Sequence, residues 1–258
     1  MLRVGLFDLF KSGGSKSDKS ADGEKPTSAA TAAAKWAEKA TDKRAQNYDR
    51  QEALANLAEM GTAEAAAVLL KRFTFKIDPS ITDEEEKDGA YNGVLNAGKA
   101  AVEPVRAFAA KAESLAWPMK ILKGLLEEGE YVDELIVWLS RWDIEYAKFI
   151  DPKLHILSAL GEYKSEKILA ATLPYLEDVN EEARFLAVGA VLAQDDPTAV
   201  DPLLAALLVE ESFRVKNKIV DGLLARGWPV EADRRDAVRK ALPPGYTINA
   251  EGKLNKRD

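Results

Sequence analysis

The chain is poor in the side chains that most metal, redox and covalent sites require. Its 258 residues include no cysteine and a single histidine, His155. The absence of cysteine excludes disulfide bonds, cysteine-ligated zinc and thiol nucleophiles, and a lone histidine excludes metal centres built from several histidines. No glycine-rich phosphate loop of Walker or dinucleotide spacing occurs either. We therefore expect no metal, no cofactor and no catalytic residue.

A long apolar run is also missing. No stretch approaches the roughly 20 residues that span a bilayer, and Asp8 interrupts the apolar N-terminus before it reaches the length of a secretory signal. With 47% hydrophobic and 31% charged residues, the composition is that of a folded protein with a sizeable core. These features predict a cytoplasmic protein.

Positive charge is scarce over most of the chain. Residues 1–46 carry nine basic and six acidic residues, a net charge of +3, whereas the remainder carries 27 and 37, a net charge of -10. An acidic body repels the phosphate backbone that supplies most non-specific nucleic-acid affinity. The distribution disfavours DNA or RNA as the main partner, although it does not exclude a local basic groove.

Turn-forming residues recur at spacings of 37, 31, 32, 34 and 32, the length of one helical hairpin. The positions are Gly61, Gly98, Gly129, Gly161, Asp195 and Gly227. Four residues before each turn stands an aliphatic residue, and seven before stands an apolar one. Because such positions share a helix face, each unit is predicted to begin with an amphipathic helix that ends at a left-handed cap.

A second helix is predicted after each turn, at residues 63–73, 101–110, 131–140, 165–176, 199–208 and 234–242. Pro104 and Pro202 fit the first turn of such helices, where a missing N–H costs nothing. Residues 82–85 match a capping box, so the acidic run 83–86 is interpreted as a helix start and not as a metal site. Asp151 and Pro152 mark another helix start.

A basic residue stands eleven positions before four of the six turns, at Arg50, Lys87, Arg184 and Lys216. One interpretation is a solvated helix face. The other, slightly favoured, is a ladder of cations that ties the first helix of each unit to the neighbouring turn.

This pattern resembles the HEAT repeat family, in particular the short bacterial type of phycobilin lyases, over residues 47–242. The resemblance implies an all-α fold, an α-solenoid of about six hairpins with a flexible N-terminal segment. Residues 28–46 are predicted to form a capping helix, and residues 243–258 a tail or small hairpin. The family includes adaptors, transport receptors, scaffolds and a few enzymes, so the resemblance says little about function.

One segment departs from the repeat, with four aromatics interleaved with charges over residues 138–149. Trp138, Arg141, Trp142, Asp143 and Tyr146 are candidate partner-binding residues. They also loosely resemble the tryptophans and aspartate of HEAT-like alkylpurine DNA glycosylases. The favoured alternative is that these aromatics fill the junction between two units. Trp117 has the same two interpretations, core residue or binding anchor.

The N-terminus carries a short apolar motif, residues 1–11, followed by a Ser/Gly/Lys/Asp-rich linker that ends at Thr27. Leu2, Leu6, Leu9 and Phe10 recur at helical spacing with Phe7 beside them. Leu6, Phe7, Leu9 and Phe10 are therefore candidate binding residues. The motif is suited to a partner protein, to weak contact with a membrane surface, or to its own solenoid.

Together these features predict a non-catalytic scaffold or adaptor that binds a protein partner through the solenoid surface and the N-terminal motif. The alternative function is a HEAT-like enzyme, glycosylase-like or lyase-like, that uses residues 138–149.

Overall fold

The computed structural model describes residues 27–257, and within this range the chain is all-α apart from one small β-hairpin. The helices are α1 Ser28–Thr41, α2 Asn47–Met60, α3 Ala63–Leu69, α4 Ser80–Asn96, α5 Val102–Ala109, α6 Ala116–Leu125, α7 Glu128–Leu139, α8 Asp151–Leu160, α9 Glu166–Thr172, α10 Glu181–Ala193, α11 Val200–Val209, α12 Phe213–Arg226 and α13 Arg235–Ala241. Short 3₁₀ segments follow α3 and α9, at Leu70–Thr74 and Leu173–Glu177, and others precede α5 and α11, at Gly98–Ala101 and Pro197–Ala199. No helix in this range is long and apolar enough to cross a bilayer.

Even-numbered and odd-numbered helices pack in two separate series. Among the first helices of the pairs, α2 packs on α4, α4 on α6, α8 on α10 and α10 on α12. Among the second helices, α3 packs on α5, α7 on α9, and α11 on both α13 and the 3₁₀ turn after α9. The core lies between the two series, because the aliphatic residues predicted four positions before the turns are buried in five of six units: Leu57, Val94, Leu157, Val191 and Leu223.

The left-handed caps occur at four of the six predicted turns, at Gly61, Gly98, Asp195 and Gly227. The prediction is wrong at Gly161, whose φ is -67°. It is also wrong at Gly129, which lies inside α7, because Glu127 and Glu130 form a capping box that starts this helix earlier. The third turn therefore comes earlier than the glycine suggests.

The capping box predicted at residues 82–85 is not formed. Helix α4 begins at Ser80, after Pro79, so Thr82 lies within its first turn. Asp83 instead turns inward, where its carboxylate accepts hydrogen bonds from Arg72 and Lys87. The acidic run does start a helix, as expected, but two of its carboxylates are buried.

The C-terminal residues form a hairpin, so the tail alternative is excluded for this segment. Strands β1 Tyr246–Ile248 and β2 Leu254–Lys256 pair antiparallel, with β2 on α12 and β1 on α13. The Tyr246 hydroxyl donates to Asp221 at 2.7 Å. The hairpin covers the last helices of the stack, while α1 packs on α2 and α3 at the other end.

Candidate binding surface

A buried cluster of five charged side chains joins the first two helical pairs. Glu86 accepts hydrogen bonds from the guanidinium groups of Arg50 and Arg72, each at 2.8 Å. Arg72 also pairs with Asp83 at 2.7 Å, and Lys87 pairs with Asp83 at 2.5 Å. Burial raises the pKa of Asp83, but the hydrogen bonds from Lys87 and Arg72 outweigh burial and lower it to about 2. Asp83 therefore stays ionised as the partner of both cations.

Two further ion pairs fix the connections that precede α10 and α12. Lys153 in α8 pairs with Asp178 at 2.5 Å, and both side chains are fully buried. Arg184 in α10 pairs with Glu210 at 2.7 Å. Lys153 lies off the predicted register of the cation ladder.

Two of the four predicted ladder cations, Arg50 and Arg184, thus pair with the neighbouring unit. The prediction is wrong for Lys87, which pairs with Asp83 of its own helix, and for Lys216, which forms no ion pair within residues 27–257.

A cavity of about 500 Å³ lies between α7 and α9, beneath the connection formed by residues 140–150. Its lining is mostly apolar: Ile136, Leu139, Ile144, Ala170, Ala171 and Pro174, with Ser140, Asp143 and Tyr175 as the polar groups. Burial raises the pKa of Tyr175, so its hydroxyl keeps the proton and donates to the Trp142 carbonyl at 2.6 Å. Since that hydroxyl is used by the backbone, the cavity suits an apolar occupant.

The connection over this cavity is held by hydrogen bonds to two adjacent residues, Asp143 and Ile144. Lys153 donates to the carbonyl of Asp143 at 2.9 Å, and the Val179 N–H donates to the carbonyl of Ile144 at 2.9 Å. Trp142 and Ile144 pack against the core from the same segment. The lysine that pairs with Asp178 therefore also sets the position of the cavity wall.

Further apolar side chains that are exposed or half-buried lie on α7, on α9 with the 3₁₀ turn after it, and on α11. We call this surface the apolar strip, and it comprises Ile136, Val137, Ala170, Ala171, Pro174, Ala205, Leu208 and Val209. Val137, Ala171 and Ala205 are successively 34 residues apart, as are Ser140, Pro174 and Leu208. Val137 is 57% exposed and Val209 76% exposed. Equivalent positions of three second helices thus present apolar groups to the outside.

Aromatic residues of the first helices are instead covered by cations. The Lys120 amine lies 4.6 Å from the ring centre of Tyr91 and 4.7 Å from that of Trp117. On α10, Phe185 has Arg214 and Lys218 within 3.7 Å of its ring centre. Such cation–π contacts keep the rings under charged groups. Exposed apolar side chains nevertheless remain on both series: Tyr48, Ile81 and Phe213 on first helices, and Val137, Leu208 and Val209 on second helices.

The predicted binding residues of the 138–149 segment separate into core and surface. Trp138 is 0% exposed, so its assignment as a partner contact is wrong, and the alternative of a packing residue is correct. Arg141 is exposed and its guanidinium lies 5.7 Å from the Trp138 ring centre. Trp142 is half-buried, whereas Asp143 and Tyr146 are exposed, the latter at 83%. A buried Trp138 offers no ring face for stacking a flipped base.

The remaining candidates lie elsewhere. Trp117 is half-buried and stacks on Phe73, with ring centres 4.5 Å apart, which is a packing role. Leu6, Phe7, Leu9 and Phe10 are outside the described residues. Sequence reasoning missed Val137, Pro174, Leu208 and Val209, although the 34-residue spacing of Pro174 and Leu208 is visible in the chain.

Within residues 27–257, no cluster of His, Asp or Glu has the arrangement of a metal site. The carboxylates of the acidic run, Asp83 and Glu86, are occupied by arginine and lysine. Comparison of the chain with models of protein families and with curated proteins finds no match.

Proposed function

We propose that the helical pairs form an α-solenoid of HEAT-like units, and that the protein is an interaction scaffold or adaptor that binds a protein partner on the apolar strip. The ordered packing of the two helix series supports the solenoid, because in such arrays each unit contacts mainly its neighbours. One observation supports the scaffold function: exposed apolar side chains stand at equivalent positions of three successive second helices, and a mostly apolar cavity lies between the first two of these helices, α7 and α9.

The apolar strip is better explained as a binding surface than as incidental exposure of apolar side chains. Contiguous exposed apolar surface is costly unless another molecule covers it part of the time. The cavity offers a pocket for one anchoring side chain, and pockets of this kind concentrate the energy of protein interfaces. Asp143 and Ser140 at the cavity supply polar groups that orient a partner.

The proposal is tested by placing charge on the strip. We expect Val137→Glu/Leu208→Glu to lose the proteins that wild type captures from native lysate, because each change places a carboxylate in the apolar contact area. Capture is measured by cross-linking and quantitative mass spectrometry. Tyr48→Glu/Ile81→Glu is the matched control, since both residues are exposed apolar side chains of the first helices.

All four positions are exposed, so both variants should keep wild-type helical content and thermal stability. Loss of the same proteins from the control variant, or their retention by the strip variant, would contradict the assignment of the strip as the binding surface.

The N-terminal motif adds a second contact segment in this proposal. A tethered segment raises the effective concentration of any group it carries near the rest of the chain. Residues 1–11 carry the apolar side chains suited to this role, at Leu2, Leu6, Phe7, Leu9 and Phe10.

A further inference from the structure

We propose that, when no partner is bound, residues 1–11 of the same chain occupy the cavity between α7 and α9 and cover the apolar strip. The inference rests on the proposed function, because it takes the strip as a binding surface. It adds a specific occupant and a consequence: a partner must displace a segment of the chain itself.

The segment and the strip match in chemistry and length. Leu2, Leu6, Leu9 and Phe10 fall on one face at helical spacing. As a helix, eleven residues are about 16 Å long, and a strip across three packed helices is about 20 Å wide. The cavity, at about 500 Å³, has room for an aromatic side chain such as Phe7 or Phe10.

Charge favours the same pairing. Residues 1–11 carry Arg3 and Lys11 against Asp8, a net charge of +1, whereas residues 47–258 carry a net charge of -10. The charged residue in the cavity lining is Asp143, an acid. A basic apolar segment is thus attracted to the body by long-range electrostatics and retained by apolar contact.

A second cavity, between α2 and α4, is a poorer match. Its volume is about 300 Å³, and its lining includes Gln51, Glu85 and Glu86, with Leu54 as its one large aliphatic side chain. It is therefore smaller and more polar than the cavity beside the strip.

The chain is long enough for residues 1–11 to reach the strip of the same molecule. Thr27 donates to Glu64 at 3.0 Å, which places the start of the described chain at the beginning of α3. From α3 to α9 there are three spacings between second helices, about 25–30 Å at 8–10 Å per spacing. The fifteen residues 12–26 span at most about 50 Å. Tethering makes the intramolecular contact more favourable than contact with a second copy.

Disulfide formation between two introduced cysteines tests this contact directly. Because the chain has no cysteine of its own, such a variant can form only one intrachain disulfide. We expect full-length Phe10→Cys/Ala170→Cys to form that disulfide under mild oxidation, at a rate independent of protein concentration. Ala170 is exposed and lines the cavity beside the strip.

Two matched controls test whether the site or the tether sets the rate. Phe10→Cys is combined with Ala55→Cys, which lines the smaller cavity, or with Ala67→Cys, which is exposed on α3 near Thr27. If residues 1–11 dock on the strip, disulfide formation should be at least about 10-fold slower in both controls, because a bound segment has a high effective concentration only at its site. This holds for Ala67→Cys as well, although α3 is nearer to the start of the described chain. Equal rates, or a faster reaction at α3, would overturn the inference.

Other outcomes are equally decisive. A disulfide that forms only between chains, at a rate rising with concentration, would overturn it in favour of a second copy as the occupant. The inference and the proposed function fail separately: if Val137→Glu/Leu208→Glu loses captured proteins but no disulfide forms at Ala170, the strip binds a partner and residues 1–11 do not cover it.

Discussion

Glu86 is the central acid of the charged cluster, because one carboxylate serves the buried guanidinium groups of both Arg50 and Arg72. We expect Glu86→Gln to lower the free energy of unfolding by about 3–5 kcal/mol, since it leaves the buried Arg50 without a counter-charge and Arg72 with Asp83 alone. Urea unfolding followed by circular dichroism measures the change. The neighbouring Glu85 is exposed, so Glu85→Gln should stay within about 0.5 kcal/mol of wild type. Similar losses in both variants would contradict this role for the cluster.

The pKa of Asp83, at about 2, gives the cluster a defined acid response. The folded-state value lies below the ordinary 3.8, so the ionised carboxylate stabilises the fold above about pH 4, and that contribution is lost as the pH falls toward about 2. We expect Asp83→Asn to be less stable than wild type near neutral pH, and the difference to shrink between about pH 4 and pH 2. Urea titrations across this range measure it; a constant difference would refute the prediction.

Buried charged residues could be predicted from the sequence only where they stand at an equivalent position in several repeats. Arg50 and Arg184 stand at one register position and both are paired. Lys153 is three residues away from that position in its own unit, yet it is fully buried on Asp178. A period identifies equivalent backbone positions, whereas a long side chain reaches its partner from several of them. The pairing of Lys153 thus depends on where Asp178 lies in space.

At the scale of a single element, α4 contains two glycines four residues apart with opposite surroundings. A Cβ at Gly89 would meet no atom within 4 Å, whereas one at Gly93 would lie 2.6 Å from the Ala58 Cβ and 2.8 Å from Leu69. We expect Gly89→Ala to stabilise the protein by about 0.5–1 kcal/mol, since alanine favours helix. Gly93→Ala should destabilise it by about 1–3 kcal/mol through overpacking against α2 and α3.

Thermal and urea unfolding of the two alanine variants provide the measurement. Because both changes have the same intrinsic effect on helix propensity, their difference isolates the close approach of α4 to its neighbours. A stabilised Gly93→Ala variant would show that the helices can move apart without cost.

Helix α8 is joined to the core by Leu157, which is 0% exposed. We expect Leu157→Ala to cost about 2–5 kcal/mol, because it removes buried methyl groups and leaves a cavity. Ser158→Ala, at the next and exposed position, is the control. Urea midpoints for the pair decide the matter, and equal midpoints would place Leu157 outside the packing interface.

Most helices could be predicted from the spacing of apolar residues, but the residues at which they begin and end depend on local capping interactions. The second helices are observed within a few residues of their predicted bounds, apart from α7, which begins earlier than residue 131. There, the side chain–backbone capping of Glu127 and Glu130 determines the start, and Gly129 is absorbed into the helix. A glycine permits a left-handed turn without requiring one.

At the scale of the whole molecule, the net charge of -10 over residues 47–258 predicts weak interaction with nucleic acid. We expect no saturable binding to short duplex or single-stranded DNA at about 10 μM protein near physiological salt, because a body of net negative charge repels the phosphates. Fluorescence anisotropy with labelled oligonucleotides measures this. Saturation, or release of a methylated base, would instead favour the glycosylase-like alternative.

The candidate surface was only partly accessible to sequence reasoning. The aromatic segment 138–149 points to the connection that covers the cavity, since Asp143 and Ile144 line it. Trp138 was misassigned because an aromatic residue in an irregular segment has the same sequence signature in a core and on a surface. The strip itself depends on which helix face lacks a covering neighbour, and that is a property of the packing between units.

The two ends of the helical stack are covered differently, by α1 at one end and by the β-hairpin at the other. In the solenoid that we propose, bare end helices would present a surface that another copy could extend, so we expect these covers to act against polymerisation. Removing only residues 243–258 would bare one end, and two identical bare ends can associate only as a closed dimer. Removing α1 as well would bare both ends, and head-to-tail association would then continue without closure into fibres. In the solenoid that we propose, either cover alone thus restricts end-to-end association to a closed dimer, and the two together block it at both ends.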